Sequence, residues 1–572
     1  SDSEWGEMRV FETVLDVLGG WHQYQRRVIL TLLIPSSIVT AFRLSLFFQL
    51  FAPDHHCRVN IPEGLNISQS EWNELMLPRN AVTGEFDQCH QYSLNTTEDE
   101  DGVNDNFLEE ETSFYITKNI TECQNGWVYD STYFDRTVAS VNGWVCQNER
   151  YQHLALIIAG ASSVGGGIFY GYLADIVFGR KAVVFFQIFL ILFGLVGQLL
   201  QPSFWIFTLF LILTMASFPA FIKLPLILAS EIVDREKRVN VTAVCFISYA
   251  IGSCLMTLVA WSVKGYWFVL IIVEMILYLP IILGVRGVQE SPRWLLSRYR
   301  VDEAFQVCQS ICRINNRTIP NDLSDELGEV AGERPEKKVR CALCLNKTLM
   351  LRLFLISFVW AATGMTHYGL SFSIKKLSNS PYVNHVTLNI FELLGYICGV
   401  VGMKRMGTKV TQSLSLIITS IAMFVAAFIP IADSQAADAV ARVFAVIAKI
   451  GASLSFLVIH HQAIEAYPTS IRVLGLAVGS ALSDAIGIGI PLLLNLEKYF
   501  KPSAYLLMSG VLLIAFLLSL VLPDTIGISL TDTMVQANAI KGHDQQFIKL
   551  TNFSRDKKGS PPSKRDIEDT TV

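Results

Sequence analysis

Charged side chains inside long apolar segments are the residues of this sequence whose types and positions would support chemistry. Asp484 lies in SALSDAIGIGI (480–490), Glu392 in LNIFELLGY and Lys449 in VIAKIGASLSFL. An ionised group near the centre of a bilayer costs about 3 kcal/mol, so it needs a partner or a function. A carboxylate without a fixed partner suits a ligand ammonium, and the alternative for Asp484 is a structural ion pair with Lys449. Glu392 has two alternatives as well, a second carboxylate that attracts cations or a partner for Lys449.

The composition and the apolar segments identify the elements that must hold these charges. The chain has 572 residues, of which 51% are hydrophobic and 17% are charged, whereas soluble proteins carry about 25% charged residues. A membrane span needs about 20 apolar residues, and twelve segments come close to this length. Numbered one to twelve in order, they are 28–51, 152–175, 182–200, 204–226, 240–262, 266–285, 349–368, 386–403, 411–431, 437–459, 473–495 and 503–522.

The order of these spans predicts an all-α membrane protein of two six-helix bundles with a large extracellular loop. Long polar stretches follow span one and span six, as in carriers built from two related halves. The predicted units are the N-terminus (1–27), a first bundle (28–286) that includes the loop (52–150), a linker (287–348), a second bundle (349–522) and a tail (523–572).

Basic residues predict the orientation, because cytoplasmic connectors carry an excess of Lys and Arg. The short connectors with Arg180, Arg235, Lys404 and Arg472 alternate along the chain and share one side with the linker. We therefore expect the linker, the N-terminus and the tail to be cytoplasmic.

The 52–150 loop is then expected to face outward. It carries glycosylation sequons and an even number of cysteines, which predict two disulfides with three possible pairings. It also has 18 acidic against 5 basic residues, which fits either a solvated cap or a vestibule that attracts cations. The sequons are at Asn66, Asn95 and Asn119, and the cysteines are Cys57, Cys89, Cys123 and Cys146.

Several function classes are disfavoured by what the sequence contains. It shows no nucleophile–base pair, no GxxxxGK[ST] phosphate loop and no basic nucleic-acid patch, so we expect neither an enzyme nor a cofactor. Cys245, Cys254 and Cys398 fall inside spans and are expected to pack. The linker pairs Cys308/Cys312 and Cys341/Cys344 allow a zinc site, but the first pair is spaced for a helix face, and we predict no metal.

Three segments carry a family resemblance: GYLADIVFGRK (171–181), QESPRWLLSR (289–298) and EAYPTSIRVLG (465–475). Together with PDTIG after span twelve, they resemble the major facilitator superfamily, and within it the transporters of organic cations, carnitine and organic anions. The resemblance implies alternating access, with salt bridges at the cytoplasmic helix ends acting as a gate. The candidate gating residues are Asp175, Arg180, Glu231, Arg235, Arg238, Glu290, Arg293, Glu465 and Arg472.

Two features depart from the family pattern. Three residues, rather than two, separate Asp175 from Gly179, and Ile176 replaces the usual Arg. The second copy, VVGMKRMGTK, has Lys404 where the family has Asp. Because of these departures, a receptor that is built on a carrier fold but does not transport remains an alternative to a carrier.

The same resemblance assigns the cavity. Asp484 matches the acidic position of the organic cation transporters, where carnitine and anion carriers tend to have Arg. The leading expectation is a facilitative plasma-membrane carrier of organic cations. Lys449, together with Leu457 at a position where an acid is usual, favours the alternative of amine-bearing zwitterions. The implied substrate-binding residues are Asp484, Glu392, Lys449, Trp360, His367, Tyr368 and Phe456.

Four further features complete the sequence reading. Arg43 is expected to reach outward to the interface, and the family resemblance implies that Lys223 faces the cavity. Glu274 has no evident role. The C-terminal Thr570-Thr571-Val572 resembles a ligand for a PDZ-domain scaffold.

Overall fold

The computed structural model describes most of the chain. The described residues are 10–62, 67–79, 84–95, 115–200, 203–320, 322–332, 347–373, 380–429, 435–496, 499–500, 502–525 and 530–531. Asn66, Cys341, Cys344 and the Thr570–Val572 motif lie outside them.

Long helices follow the predicted spans. Within the described residues, eleven helices are long and apolar enough to cross a membrane, and the last span, Ser503–Ser519, is shorter. Such helices satisfy their backbone polar groups internally, as lipid requires. The first six spans are Gln23–Gln49, Arg150–Val177, Arg180–Leu200, Phe204–Glu231, Arg235–Ser262 and Trp267–Arg286. The second six are Lys347–Ser373, Pro381–Met406, Thr408–Phe428, Gln435–Ala466, Arg472–Asn495 and Ser503–Ser519.

The twelve-helix fold predicted from the sequence is therefore confirmed, with differences at the ends of spans. Spans eight and ten, which polar residues interrupt, are continuous helices that extend beyond their predicted limits at both ends. Spans one to six pack mainly on one another, as do spans seven to twelve. Span two lies against span eleven, and span five against span eight, so these pairs join the two bundles.

A layer of short helices covers one end of the bundles, which we call the linker face. It consists of Val10–Leu18, Pro292–Ser297, Val301–Ile314 and Leu323–Gly332. Asn315 ties the N-terminal segment to this layer, because its Nδ2 donates to Leu18 O over 2.7 Å and its Oδ1 accepts from Tyr24 N over 2.8 Å. Burial raises the pKa of Cys308 in this layer to about 12, which favours packing over metal binding.

The 52–150 loop lies at the opposite end, which we call the loop face. Strand His55–Cys57 pairs antiparallel with Trp127–Tyr129, and His90–Asn95 pairs with Tyr115–Glu122. The other loop helices are Gln69–Met76, Val138–Val141 and the 3-10 turn Cys146–Asn148. The cysteines form two disulfides, Cys57–Cys123 and Cys89–Cys146. Asn119 is exposed on its strand, as a glycosylation acceptor would need to be.

Glu274 has a partner that its sequence context does not reveal. Its Oε1 lies 3.2 Å from Nη1 of Arg43, and both side chains are almost completely buried. The expectation that Arg43 reaches outward to the interface is therefore wrong. Because opposite charges in a low-dielectric interior neutralise each other, the pair fixes span one against span six.

We predict that Arg43→Met lowers the free energy of unfolding by about 3–5 kcal/mol, because it leaves Glu274 charged and buried. The double variant Arg43→Met/Glu274→Met removes both charges and should recover most of this loss. Thermal unfolding of the purified proteins in detergent tests the prediction. Equal losses in the single and double variants would contradict it.

Candidate functional site

Glu231, at the end of span four, is the centre of a charge network on the linker face. Its Oε1 lies 3.2 Å from Nη2 of Arg180 and 2.5 Å from Nη1 of Arg472. The Ser291 hydroxyl donates to its other oxygen. All three charged side chains are fully buried. Since Arg180 and Glu231 belong to the first bundle and Arg472 to the second, this network connects the two bundles.

Asp175 joins the same network despite the extra residue in its motif. Its Oδ1 lies 3.3 Å from Nη2 of Arg180, and its Oδ2 accepts from the Leu474 backbone N–H over 2.8 Å. The chain forms a π-helical turn over Leu173–Val177 immediately before Gly179. A π turn accommodates one residue more than an α turn. The π turn thus accommodates the extra residue, and Asp175 keeps its contact with Arg180.

Glu290 caps the start of span three. It accepts from the backbone N–H groups of Arg180 and Lys181 over 3.1 and 3.0 Å. A carboxylate is stabilised at a helix N-terminus. Burial raises the pKa of Glu290, and the positive charge of Arg180 lowers it in part. The carboxylate fits there because Gly179 has φ +96° and no Cβ.

Asp524 of PDTIG makes the equivalent contact in the second bundle. It accepts from Thr408 N over 3.0 Å at the start of span nine, beside Gly407 with φ +88°. Lys404, which stands where the family has Asp, is exposed. The sequence reading did not identify Asp524, although its position after span twelve matches that of Glu290 after span six.

The network also includes backbone carbonyls that sequence reasoning missed. Arg472 Nη2 donates to Thr531 O over 2.9 Å, and Arg293 Nη1 donates to Leu530 O over 3.5 Å. Arg293 Nε donates to Glu231 O over 3.4 Å. The chain beyond span twelve therefore returns to the junction between the bundles.

The remaining predicted gating residues divide into two groups. Arg238 is buried and acts electrostatically on Glu465 of span ten, whose Oε1 lies 3.4 Å from Nε2 of His461. His461 also shares a 3.0 Å hydrogen bond with Thr242 of span five. Arg235, in contrast, is exposed at the start of span five. The structure thus brings every predicted gating residue except Arg235 into buried contacts at the linker face.

The loop face also joins the bundles. Tyr382 of span eight stacks on Phe48 of span one at 5.4 Å and donates its hydroxyl to Tyr133 O over 2.8 Å. Thr257 of span five and His385 of span eight share a 2.8 Å hydrogen bond. In this conformation the two bundles therefore contact each other at both the linker face and the loop face.

Between the faces, Glu392 and Lys449 neutralise each other. Lys449 Nζ lies 3.3 Å from Glu392 Oε2, and His367 Nε2 lies 3.5 Å from the same oxygen. Tyr396 donates to the other carboxylate oxygen over 2.5 Å. Glu392, rather than Asp484, is thus the ion-pair partner of Lys449, and all four residues belong to the second bundle.

Asp484 is in a different situation. It is only partly buried, and among the described residues it has no hydrogen-bond or ion-pair partner. The cation that acts on it electrostatically is Lys223 of span four. Lys223 is 5% exposed and donates from Nζ to Ser480 Oγ, one turn before Asp484. These residues hold opposite charges on the two sides of the bundle junction.

Aromatic side chains surround these charges. His367 stacks on Phe456 with centroids 5.0 Å apart and planes 11° apart, and the Tyr368 ring meets both edge-on. The Trp360 ring lies 5.7 Å from Lys223 Nζ. The implied substrate-binding residues therefore lie together. His460, which the sequence did not single out, joins them, because its ring centroid lies 4.2 Å from that of Trp360.

Comparison with known proteins gives one family. Residues 106–535 match the model of the sugar (and other) transporter family. A carcinine transporter of Drosophila melanogaster is 26% identical, covering 94% of this chain and 80% of its own. A beta-alanine transporter of the same organism is 25% identical, covering 93% and 89%. Organic cation/carnitine transporter 2 of Mus musculus is 26% identical, covering 97% and 99%.

A solved structure has the same fold. The proton:xylose symporter XylE of the major facilitator superfamily superimposes with a TM-score of 0.58 at 17% identity. The match covers 67% of this chain and 88% of that one. The fold implied by the sequence motifs is therefore confirmed.

We predict that Glu231→Gln opens the linker face. The substitution removes the charge that holds Arg180 and Arg472, and losing one member of a buried charge pair costs about 2–5 kcal/mol. The population with separated bundles should therefore rise at least about tenfold. Spin labels at the exposed residues Phe178 and Met406, one on each bundle, report the separation. The exposed Glu236→Gln is the matched control, and identical distance distributions in the two variants would contradict the prediction.

Proposed function

The chain belongs to the sugar (and other) transporter family, and from this premise we propose that it carries organic cations across the membrane by facilitated alternating access. The observation that supports this proposal is Asp484, a partly accessible carboxylate within the bundles that has no ion-pair partner among the described residues. A bound ammonium would supply a direct ion-pair partner. Glu392 is already neutralised by Lys449, so among the described acids between the two faces Asp484 is the one available to a ligand.

The aromatic residues support the same assignment. Trp360, Tyr368, Phe456 and the imidazole of His367 lie around the central charges. Aromatic faces attract ammonium groups, at about 0.5–2 kcal/mol for each ring that meets the cation. The substrate site therefore combines one carboxylate with rings that stabilise a quaternary or protonated amine.

A second candidate substrate is an amine-bearing zwitterion. The names of two relatives, a beta-alanine transporter and an organic cation/carnitine transporter, point to such solutes. From the sequence, Lys449 is the expected partner of the substrate carboxylate. Lys449 is occupied by Glu392, so a different cation would have to take that role.

A receptor that does not transport is less consistent with the linker face. The motif departures that motivated it do not weaken the charge network, because the π turn keeps Asp175 on Arg180 and Asp524 occupies the start of span nine. A network of charges shared between two bundles is what a gate requires, since it is strong when the bundles touch and lost when they separate.

The orientation and location belong to the proposal as well. We assign the linker face to the cytoplasm and the loop face to the outside of the plasma membrane, with both termini cytoplasmic. The positive connectors and the disulfide-bonded loop support this assignment. Glycans at Asn66, Asn95 and Asn119 and a PDZ-domain partner for Thr570-Thr571-Val572 are parts of the same proposal.

We predict that Asp484→Asn reduces the uptake of labelled tetraethylammonium at least about 30-fold, because the amide keeps the shape but not the charge. Cells expressing the chain, with surface biotinylation as the measure of delivery, provide the assay. Asp302→Asn, at an exposed aspartate of the linker layer, should leave uptake unchanged. Normal cation uptake by Asp484→Asn would exclude this carboxylate as the cation site.

A further inference from the structure

Lys223 is a buried cation whose role the proposed cation site leaves unexplained. It lies between Pro219 and Pro225 in span four, so the helix has two missing backbone hydrogen bonds around it. Interrupted helices of this kind occur where transporter spans line a binding site. Lys223 is 5% exposed, so water does little to stabilise its charge.

Within the described part of the chain, one acid acts on Lys223. Its Nζ donates to Ser480 Oγ and lies 5.7 Å from the Trp360 ring. Asp484 is the acid that acts on it electrostatically. Among the described residues, no carboxylate forms an ion pair with Lys223, whereas Lys449, the other lysine of this region, has Glu392 at 3.3 Å.

A simple cation and a zwitterion would affect Lys223 and Asp484 differently. A cation that binds Asp484 takes over the acid that compensates Lys223, and a buried ammonium without an opposite charge is unfavourable. A solute that also carries a carboxylate restores the balance, because its ammonium meets Asp484 and its carboxylate meets Lys223. Discrimination arises from the unpaired charge that the wrong ligand would leave.

We infer that this chain prefers small zwitterions with an ammonium and a carboxylate, and that Lys223 is the residue that binds the carboxylate. This inference rests on the proposed transport function and deepens it. It replaces Lys449 with Lys223 as the carboxylate partner.

The position of the two residues adds a consequence for transport. Lys223 belongs to the first bundle, and Asp484, like its neighbour Ser480, belongs to the second. A zwitterion between them contacts both bundles at once. Its binding therefore favours the conformations in which the bundles are close together, which a ligand held by one bundle would not do.

The test uses two probes that differ only in the second charge: labelled γ-butyrobetaine, which is a zwitterion, and its carboxamide, which is a cation. We expect wild-type uptake to favour the betaine at least about tenfold. Lys223→Met should lower the ratio of betaine to carboxamide uptake about 30-fold, as expected for losing one partner of a buried charge pair. Lys223→Arg should restore the preference, and Lys347→Met, at an exposed lysine, should leave the ratio unchanged.

Different failures of this experiment are distinguishable. If wild-type protein takes up the carboxamide and tetraethylammonium as well as the betaine, or if Lys223→Met lowers both probes equally, the inference is overturned and the cation carrier stands. If protein present at the surface takes up none of the three, the transport proposal fails and the inference with it.

A measurement on purified wild-type protein covers the case in which Lys223→Met does not reach the membrane. The betaine should raise the unfolding temperature more than the carboxamide does at the same concentration. Equal shifts would overturn the inference without any variant at residue 223.

Discussion

The contact of Glu231 with two guanidinium groups is the interaction on which the linker face depends. A fully buried carboxylate must have opposite charges close by, and this one receives Arg180 from its own bundle and Arg472 from the other. The second cation is available only while the bundles touch. Ser291, Arg293 and the carbonyls of Leu530 and Thr531 are arranged around the same charge network, so residues from the linker and from beyond span twelve meet at this contact.

The two bundles end in the same way. After the last span of each, an acid returns to the start of that bundle's third helix: Glu290 at Arg180 N and Asp524 at Thr408 N. Each acid occupies the space beside a glycine with positive φ, where a Cβ would collide with it. Because an acid at a helix N-terminus compensates unpaired N–H groups, this contact serves each bundle even though the neighbouring motifs have diverged.

Much of this architecture was predictable from residue patterns, and the failures have definite causes. The twelve spans and the loop cysteines follow from local composition, which a bilayer makes decisive. The partner of Glu274 comes from another helix, and apolar periodicity carries no information about which helices meet. The π turn before Gly179 could not be predicted from the sequence either. One extra residue in the motif is consistent with a lost contact between Asp175 and Arg180, and equally with a local change of the backbone that keeps this contact. The role of Leu530 and Thr531 lies in their carbonyls, which every residue type possesses.

Buried charges in this protein fall into two kinds with different consequences. Arg43–Glu274 and Glu392–Lys449 each lie within one bundle, so they remain paired when the bundles move and act as structural contacts. The ion pair Glu231–Arg472 joins different bundles, and the opposite charges Arg238 and Glu465, and Lys223 and Asp484, act on each other across the same junction, so any relative motion of the bundles must change all three interactions. The first two of these lie at the linker face, where the lost partner can be replaced by water when that face opens. Lys223 and Asp484 lie between the faces, where we propose that a solute with matching charges takes the place of the lost partner. The division between fixed and exchangeable pairs therefore follows from which helices carry the charges, and it separates the residues that maintain the fold from those available for transport.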